Sequence, residues 1–577
     1  MTTSADGLNP RAADGAFTFV LHSHLPYARM AGRWPHGEEW IHEAATDTYL
    51  PLLAALHDLA AEGVRYRLTI GITPVLAEQL ADPDVLRNLE DYIDDLRARA
   101  ASDLARFERD GDVRRASVAA FHLDRFTWLL DQFRARFGRD IIGGFRWLQD
   151  SGYVEIAASA ATHGYLPLFE RDSSIYGQIR TGVRAHQRHF GRAPESFWLP
   201  ECAYRPARVA ADGTGSPGLE AFLQAQGLTT FFVETSAILG GQPVGKAAGD
   251  AVGVYGAIPR RYTIPPAASL QPTQCTTFQP YWVGGPGVAA IGRNVETGLQ
   301  VWSADHGYPG DFAYREFHKK DGESGLHYWR VSGAGVDLGE KDLYDPGAAF
   351  DRAREHARHF ASLVEEQVRG YRASSGRYGI VSAAYDTELF GHWWFEGVSW
   401  LQDVLRHLAA SETVALTGAA QFVREHPPRE VIALPEGSWG QQGTHFTWQN
   451  ADTAWMWPVI NAAQRRMEEV AARHAGASGE IAAALAQMTR ELLLLESSDW
   501  PFLVTTGQAH QYAELRFTEH AERFNRLGDQ IESGAVDAAY LADLVERDKL
   551  FPDIDPADFT AREGATGALS AAGRQSL

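Results

Sequence analysis

Cysteine is nearly absent from this chain, with two residues, Cys202 and Cys275, in 577. Two thiols cannot build a disulfide framework and do not suffice for a cysteine-based zinc site. Cys202 reads as an ordinary small buried side chain. Basic charge is also in deficit: 53 Lys and Arg face 74 Asp and Glu, for a net charge of -21. That balance, with no basic block, argues against a nucleic-acid partner and fits a neutral substrate. Long apolar runs are missing too. None reaches the roughly 18 residues of a membrane span, and the first fifteen residues lack the basic start and apolar stretch of a secretory signal. The expectation is a cytoplasmic protein with no membrane partner.

A chain of this length exceeds one ordinary domain and favours a large catalytic domain with an accessory region. Short apolar runs at 17–21, 66–73, 154–160, 197–199, 230–233, 299–303 and 378–385 read as strands buried on both faces. Helical periodicity fills much of the sequence between them. The alternation predicts a parallel α/β architecture, most economically a barrel of about seven strands, over 16–420. The polar, Arg-rich stretch 84–140 has helical patterning and no strand, and reads as an insertion. A Gly/Pro-rich stretch, 239–266, reads as a long functional loop, and 303–339 as a second irregular segment. From 421 to 555 the pattern is helical, which predicts a C-terminal helical domain. Residues 1–15 and 556–577 read as flexible ends.

Two carboxylates follow apolar runs: Glu201 after Ser196-Phe197-Trp198-Leu199-Pro200, and Asp386 after Ile380-Val381-Ser382-Ala383-Ala384-Tyr385. Barrel enzymes carry their catalytic groups just beyond the C-terminal ends of strands. Glycoside cleavage of the common kind needs one carboxylate as nucleophile or base and a second as proton donor. Glu234 and Glu388 are the nearest rivals. Eight of the sixteen tryptophans fall between 393 and 500. Trp439 and Trp448 sit in a turn-rich segment and read as stacking surfaces for sugar rings, against the alternative of core packing. His22, His24 and His163 each follow a strand. They would bind sugar hydroxyls, hold a zinc ion, or serve as core histidines.

Five motifs carry a resemblance: His22-Ser23-His24, Ala161-Thr162-His163-Gly164, Trp198-Leu199-Pro200-Glu201-Cys202-Ala203-Tyr204, Tyr385-Asp386-Thr387-Glu388-Leu389-Phe390-Gly391-His392-Trp393-Trp394, and Ser497-Ser498-Asp499-Trp500-Pro501-Phe502. In order and spacing they resemble glycoside hydrolase family 57, within it the 1,4-α-glucan branching enzymes. The resemblance implies a distorted (β/α)7 barrel with a helical insertion and a C-terminal helical domain. It implies retaining chemistry with Glu201 as nucleophile and Asp386 as acid/base, no metal and no cofactor, and an α-glucan such as amylose or glycogen as partner of a monomer. By motif it also places Arg293 near the nucleophile, Trp302 as a stacking surface, Asp499 on a substrate hydroxyl, and Tyr255 or Tyr262 near the tip of a lid loop. A family 57 amylase or 4-α-glucanotransferase without branching is the alternative. A metal-dependent carbohydrate hydrolase or deacetylase built on the three histidines is a further one.

Overall fold

The computed structural model describes residues 13–209, 215–242, 252–253, 256–257, 269–302 and 307–561. Seven parallel strands form its centre: β1 (Gly15–Ser23), β2 (Leu68–Ile72), β3 (Val154–Ser159), β4 (Ser196–Trp198), β5 (Thr230–Val233), β6 (Ala289–Gly292) and β7 (Ile380–Asp386). They pair in the order β7-β1-β2-β3-β4-β5-β6. Every residue of β1, β2, β4, β5 and β6 is buried, as befits parallel strands covered on both faces. Three short strands extend the sheet. Tyr281–Val283 runs antiparallel to β6, Val431–Ile432 pairs with it, and Val414–Leu416 flanks the start of β1.

The sheet curls without a continuous ladder around the ring. Among the described residues β6 and β7 share no strand pairing, and the seam is bridged by Asn294 N–H donating to the Ser382 carbonyl at 2.9 Å. Residues 299–302 do not supply a strand there. Val295–Trp302 is a helix, and the sixth strand is the smaller-residue run Ala289–Gly292 just before it. Asn294 decides the switch, because its side-chain Oδ1 accepts the Thr297 N–H at 3.0 Å and caps the first turn. Thr297, Gly298 and Val301 then share the buried face at helical spacing.

The stretch after β2 forms two long helices, Pro83–Arg109 and Val113–Asp131, which pack on each other. Asp82 starts the first: its carboxylate accepts the N–H groups of Asp84 and Val85, with Pro83 in the first turn. Some of its arginines pair along the surface, as Arg97 with Asp94 and Arg99 with Asp95, while Arg106 turns inward to Asp103 and Asp321.

The C-terminal region is helical: Met456–Arg473, Gly479–Leu495, Asp499–Thr506, His510–Ser533 and Ala538–Arg547. One core cluster joins Leu492, Trp500 and Phe517 from these helices to Ala158, Trp198 and Phe231 of β3, β4 and β5. This docking carries the turn between Gly479–Leu495 and Asp499–Thr506 to the mouth of the sheet. There Ser498 N–H donates to the His163 carbonyl at 3.1 Å, and Gly164 bridges Ser497. Among the described residues, no helix is long and apolar enough to cross a membrane.

Candidate active site

Glu201 sits three residues past the end of β4, in the single turn Pro200–Cys202. Its backbone is left-handed, with φ 62°, and Cys202 follows at φ 47°. A left-handed conformation is strained for residues with a Cβ and persists only where the surroundings hold it. Here the holding segment is 437–439. Tyr204 and Gly437 exchange backbone bonds of 2.9 and 3.1 Å, and Trp439 N–H donates to the Glu201 carbonyl at 3.0 Å. The Trp439 indole N–H donates to Glu201 Oε2 at 2.5 Å, and the Ser498 hydroxyl lies 3.5 Å from Oε1.

Asp386 is the last residue of β7, in register with His22 of β1. Burial pushes both acids up, Glu201 to about 8 and Asp386 to about 7. The Trp439 and Ser498 bonds oppose the rise at Glu201, while nearby Arg293 and His24 oppose it at Asp386. A proton is therefore held on the pair near neutral pH. The direct donors to Glu201 favour its ionised form, which is what a nucleophile requires.

The three histidines converge on these acids. His22 Nε2 and His163 Nε2 lie 3.1 Å apart, and His163 Nδ1 is 2.9 Å from Ser498 Oγ and 3.8 Å from Glu201 Oε1. Burial holds His22 and His163 well below the ordinary imidazole range, with neighbouring imidazoles adding to the effect, so both are neutral. His24 Nε2 bonds both Asp499 oxygens at 3.1 Å, and its Nδ1 meets Thr73 Oγ1 at 3.1 Å. Among the described residues the only group of ligand atoms close enough to share an ion is Glu491, His520 and Asp548, elsewhere in the C-terminal region. Arg516 and Arg523 already occupy that group, donating to His520 and Asp548.

The glycosyl hydrolase family 57 description matches residues 18–435 of this chain, and a 1,4-α-glucan branching enzyme C-terminal description matches 459–559. The chain belongs to glycoside hydrolase family 57. A curated member from Thermococcus kodakarensis, the 1,4-α-glucan branching enzyme TK1436, is 45% identical over 546 residues, covering 93% of this chain and 77% of the relative. The Pyrococcus horikoshii branching-enzyme structure superposes with a TM-score of 0.84 at 41% identity, over 95% of this chain and 97% of that one. An α-amylase structure from Thermotoga maritima superposes at 0.79 with 29% identity, over 95% of this chain and 99% of that one.

Within this family 57 site, several side chains stand differently from the sequence expectation. Trp448 is fully buried with its ring stacked on Tyr165 at 4.3 Å, so it offers no face to a sugar. A glycine-rich segment does form core here, because Gly440 lets the Trp448 ring approach its backbone, where a Cβ would lie 2.4 Å away. Trp439 is also buried, with its indole N–H spent on Glu201. Asp499 is engaged by His24 and by the Ser497 hydroxyl, at 2.5 Å. Trp302 ends its helix half-buried, edge-on to Trp393 at 6.3 Å. Tyr255 and Tyr262, the candidates for the lid, lie outside the described residues.

The rivals are occupied too. Glu234 is buried 3.3 Å from the Arg293 guanidinium. Glu388 accepts the Tyr49 hydroxyl and the His24 N–H, and burial lifts it to about 8. A cleft of about 300 Å3 opens next to the Pro200–Cys202 turn, lined by Cys202, Tyr204, Glu234, Ser438 and His445 among others, with neither Glu201 nor Asp386 in its lining. Ser498 and Tyr49 were invisible to sequence reasoning as site residues. Ser498 sits inside the quoted Ser-Ser-Asp-Trp motif, but nothing in its spacing announces a partner 297 residues away.

Proposed function

We propose that this chain is a 1,4-α-glucan branching enzyme that works by retaining double displacement. The observation that carries the reading is Glu201, an acid in a strained turn just past β4, with two donors aimed at its carboxylate and a second raised acid, Asp386, at the end of β7, three strands on past β5, β6 and the seam. Asp386 gives its proton to O4 of the departing glucan as Glu201 bonds to the anomeric carbon of the donor. The free end leaves, and Asp386, now charged, takes the proton of a glucan 6-hydroxyl as that oxygen displaces Glu201. The product is an α-1,6 branch, with each step returning the proton that the previous one spent. The bond energy is conserved in the covalent intermediate, so the cycle needs no activated cofactor. Near-full-length similarity to proteins named branching enzymes supports the transfer outcome, while the amylase of the same fold keeps hydrolysis as the competing one.

Incubation with amylose, followed by chain-length analysis before and after a debranching enzyme, tests the proposal. New short chains released only by debranching are expected. Shortened linear chains alone would assign the site to hydrolysis or 4-α-transfer.

A further inference from the structure

Ser498 comes from the C-terminal region, yet its hydroxyl stands between His163 Nδ1, at 2.9 Å, and Glu201 Oε1, at 3.5 Å. Behind His163 lies His22, Nε2 to Nε2 at 3.1 Å, and His22 Nδ1 is buried with no hydrogen-bond partner. We propose that His22, His163 and Ser498 form a polarised relay that ends on the nucleophile, with Ser498 as the residue that positions and stabilises the Glu201 carboxylate; this rests on the retaining role of Glu201 given above.

The direction of the relay follows from counting hydrogens. An ionised carboxylate only accepts, so Ser498 donates its one hydrogen to Glu201. Its oxygen must then accept from His163 Nδ1–H. A neutral His163 keeps a lone pair on Nε2, which accepts His22 Nε2–H. The remaining His22 nitrogen, Nδ1, is then a bare acceptor, and this is the atom found without a partner. The rings are fixed in place for this: His22 stacks on Trp198 at 4.5 Å and 13°, and Trp198 meets Trp439 edge-on at 5.1 Å.

When Glu201 is protonated or esterified by the sugar, it no longer demands a donor. The Ser498 hydroxyl is then released from it, while both imidazoles keep their tautomers, because His22 Nδ1 has no partner through which a proton could be exchanged. The relay thus stabilises the charged nucleophile and relaxes in the covalent intermediate. The 3.5 Å contact is long, of a kind that tightens in a loaded site.

The other titratable groups facing Glu201 are Asp386 from β7 and Asp499 beside Ser498, which oppose its ionisation, and Tyr165 and Cys202, which are neutral. Removing the Ser498 hydroxyl leaves the opposing charges in place. The acidic limb of kcat/KM, which reports ionisation of the nucleophile, is therefore expected to move up by about one pH unit in Ser498→Ala, with about a tenfold loss on the acid side of that limb. Ser498→Thr keeps the hydroxyl and is expected to keep the parental limb. Ser498→Cys, a close isostere with a weak donor, reads the same shift if the alanine variant does not fold. An unmoved limb in both Ser498→Ala and Ser498→Cys, with loss confined to KM or melting temperature, overturns the relay. A parental enzyme that makes no branches would overturn the branching assignment instead, and leaves the limb shift to be read on hydrolysis.

Discussion

Trp439 clasps Glu201 twice, through its backbone N–H to the Glu201 carbonyl at 3.0 Å and through its indole N–H to Oε2 at 2.5 Å. One residue from beyond the barrel strands therefore fixes both the strained backbone of Glu201 and the direction of its carboxylate. The two functions separate by mutation. Trp439→Phe keeps an aromatic ring and the backbone bond and removes the indole N–H together with the pyrrole half of the ring. Turnover is expected to fall about tenfold to a hundredfold, in the range of losing one fixed donor at a charged centre. Branching and hydrolysis should fall together, since both pass through Glu201, and the lost packing is read separately as a lower melting temperature. Product analysis and calorimetry on the purified variant check all three.

The carboxylates themselves carry a larger effect. Glu201→Gln and Asp386→Asn are each expected to lower glucan turnover by several orders of magnitude with the far-UV circular dichroism unchanged. Glu201→Ala should regain turnover of an activated donor in azide, giving a β-glycosyl azide, because the anion enters from the face the nucleophile used. Folded variants with near-parental activity would remove the assignment.

The strands, the acids and the three histidines were legible in the sequence because each is local: an apolar run, then a polar residue that such a run would not otherwise end on. Thr230–Val233 was read to the residue, and the seven-strand parallel plan holds, with one strand displaced. That displacement came from reading the apolar residues of 299–303 without weighing the Asn294 cap before them. The tryptophans were less legible. Indoles in a glycine-rich segment look available, yet glycines also let a ring bury against backbone, as Gly440 does for Trp448. Asp499 and Ser498 were least legible, since their partners, His24 and Glu201, are about three hundred or more residues away and meet them only through docking of the C-terminal helices.

Trp448 marks the consequence. With no exposed surface, and its ring on Tyr165, its removal leaves a cavity and not a missing sugar platform. Trp448→Ala is expected to cost about 3–5 kcal/mol of stability. At temperatures where the variant stays folded, its ratio of branching to hydrolysis should match the parent. A selective loss of branching, measured by debranched chain counts against reducing ends, would restore the acceptor-binding role.

Arg293 gives the pH dependence a sign. Its guanidinium lies 3.3 Å from Glu234 and opposes the rise that burial imposes on Asp386. Asp386 must enter the cycle protonated, so activity is expected to fall as pH rises through its ionisation, which burial delays above the ordinary carboxylate range. A cation nearby favours the charged carboxylate and brings that fall to lower pH. Arg293→Gln removes the cation, so the proton stays on Asp386 longer and the alkaline limb of kcat/KM should move up, by about one unit if the charge is the main opposing influence. The same change leaves Glu234 buried without its partner, which costs stability and is read separately as a lower melting temperature. An alkaline limb that moves down, or stays fixed while the protein remains folded, would show that Arg293 acts on the substrate and not on the acid.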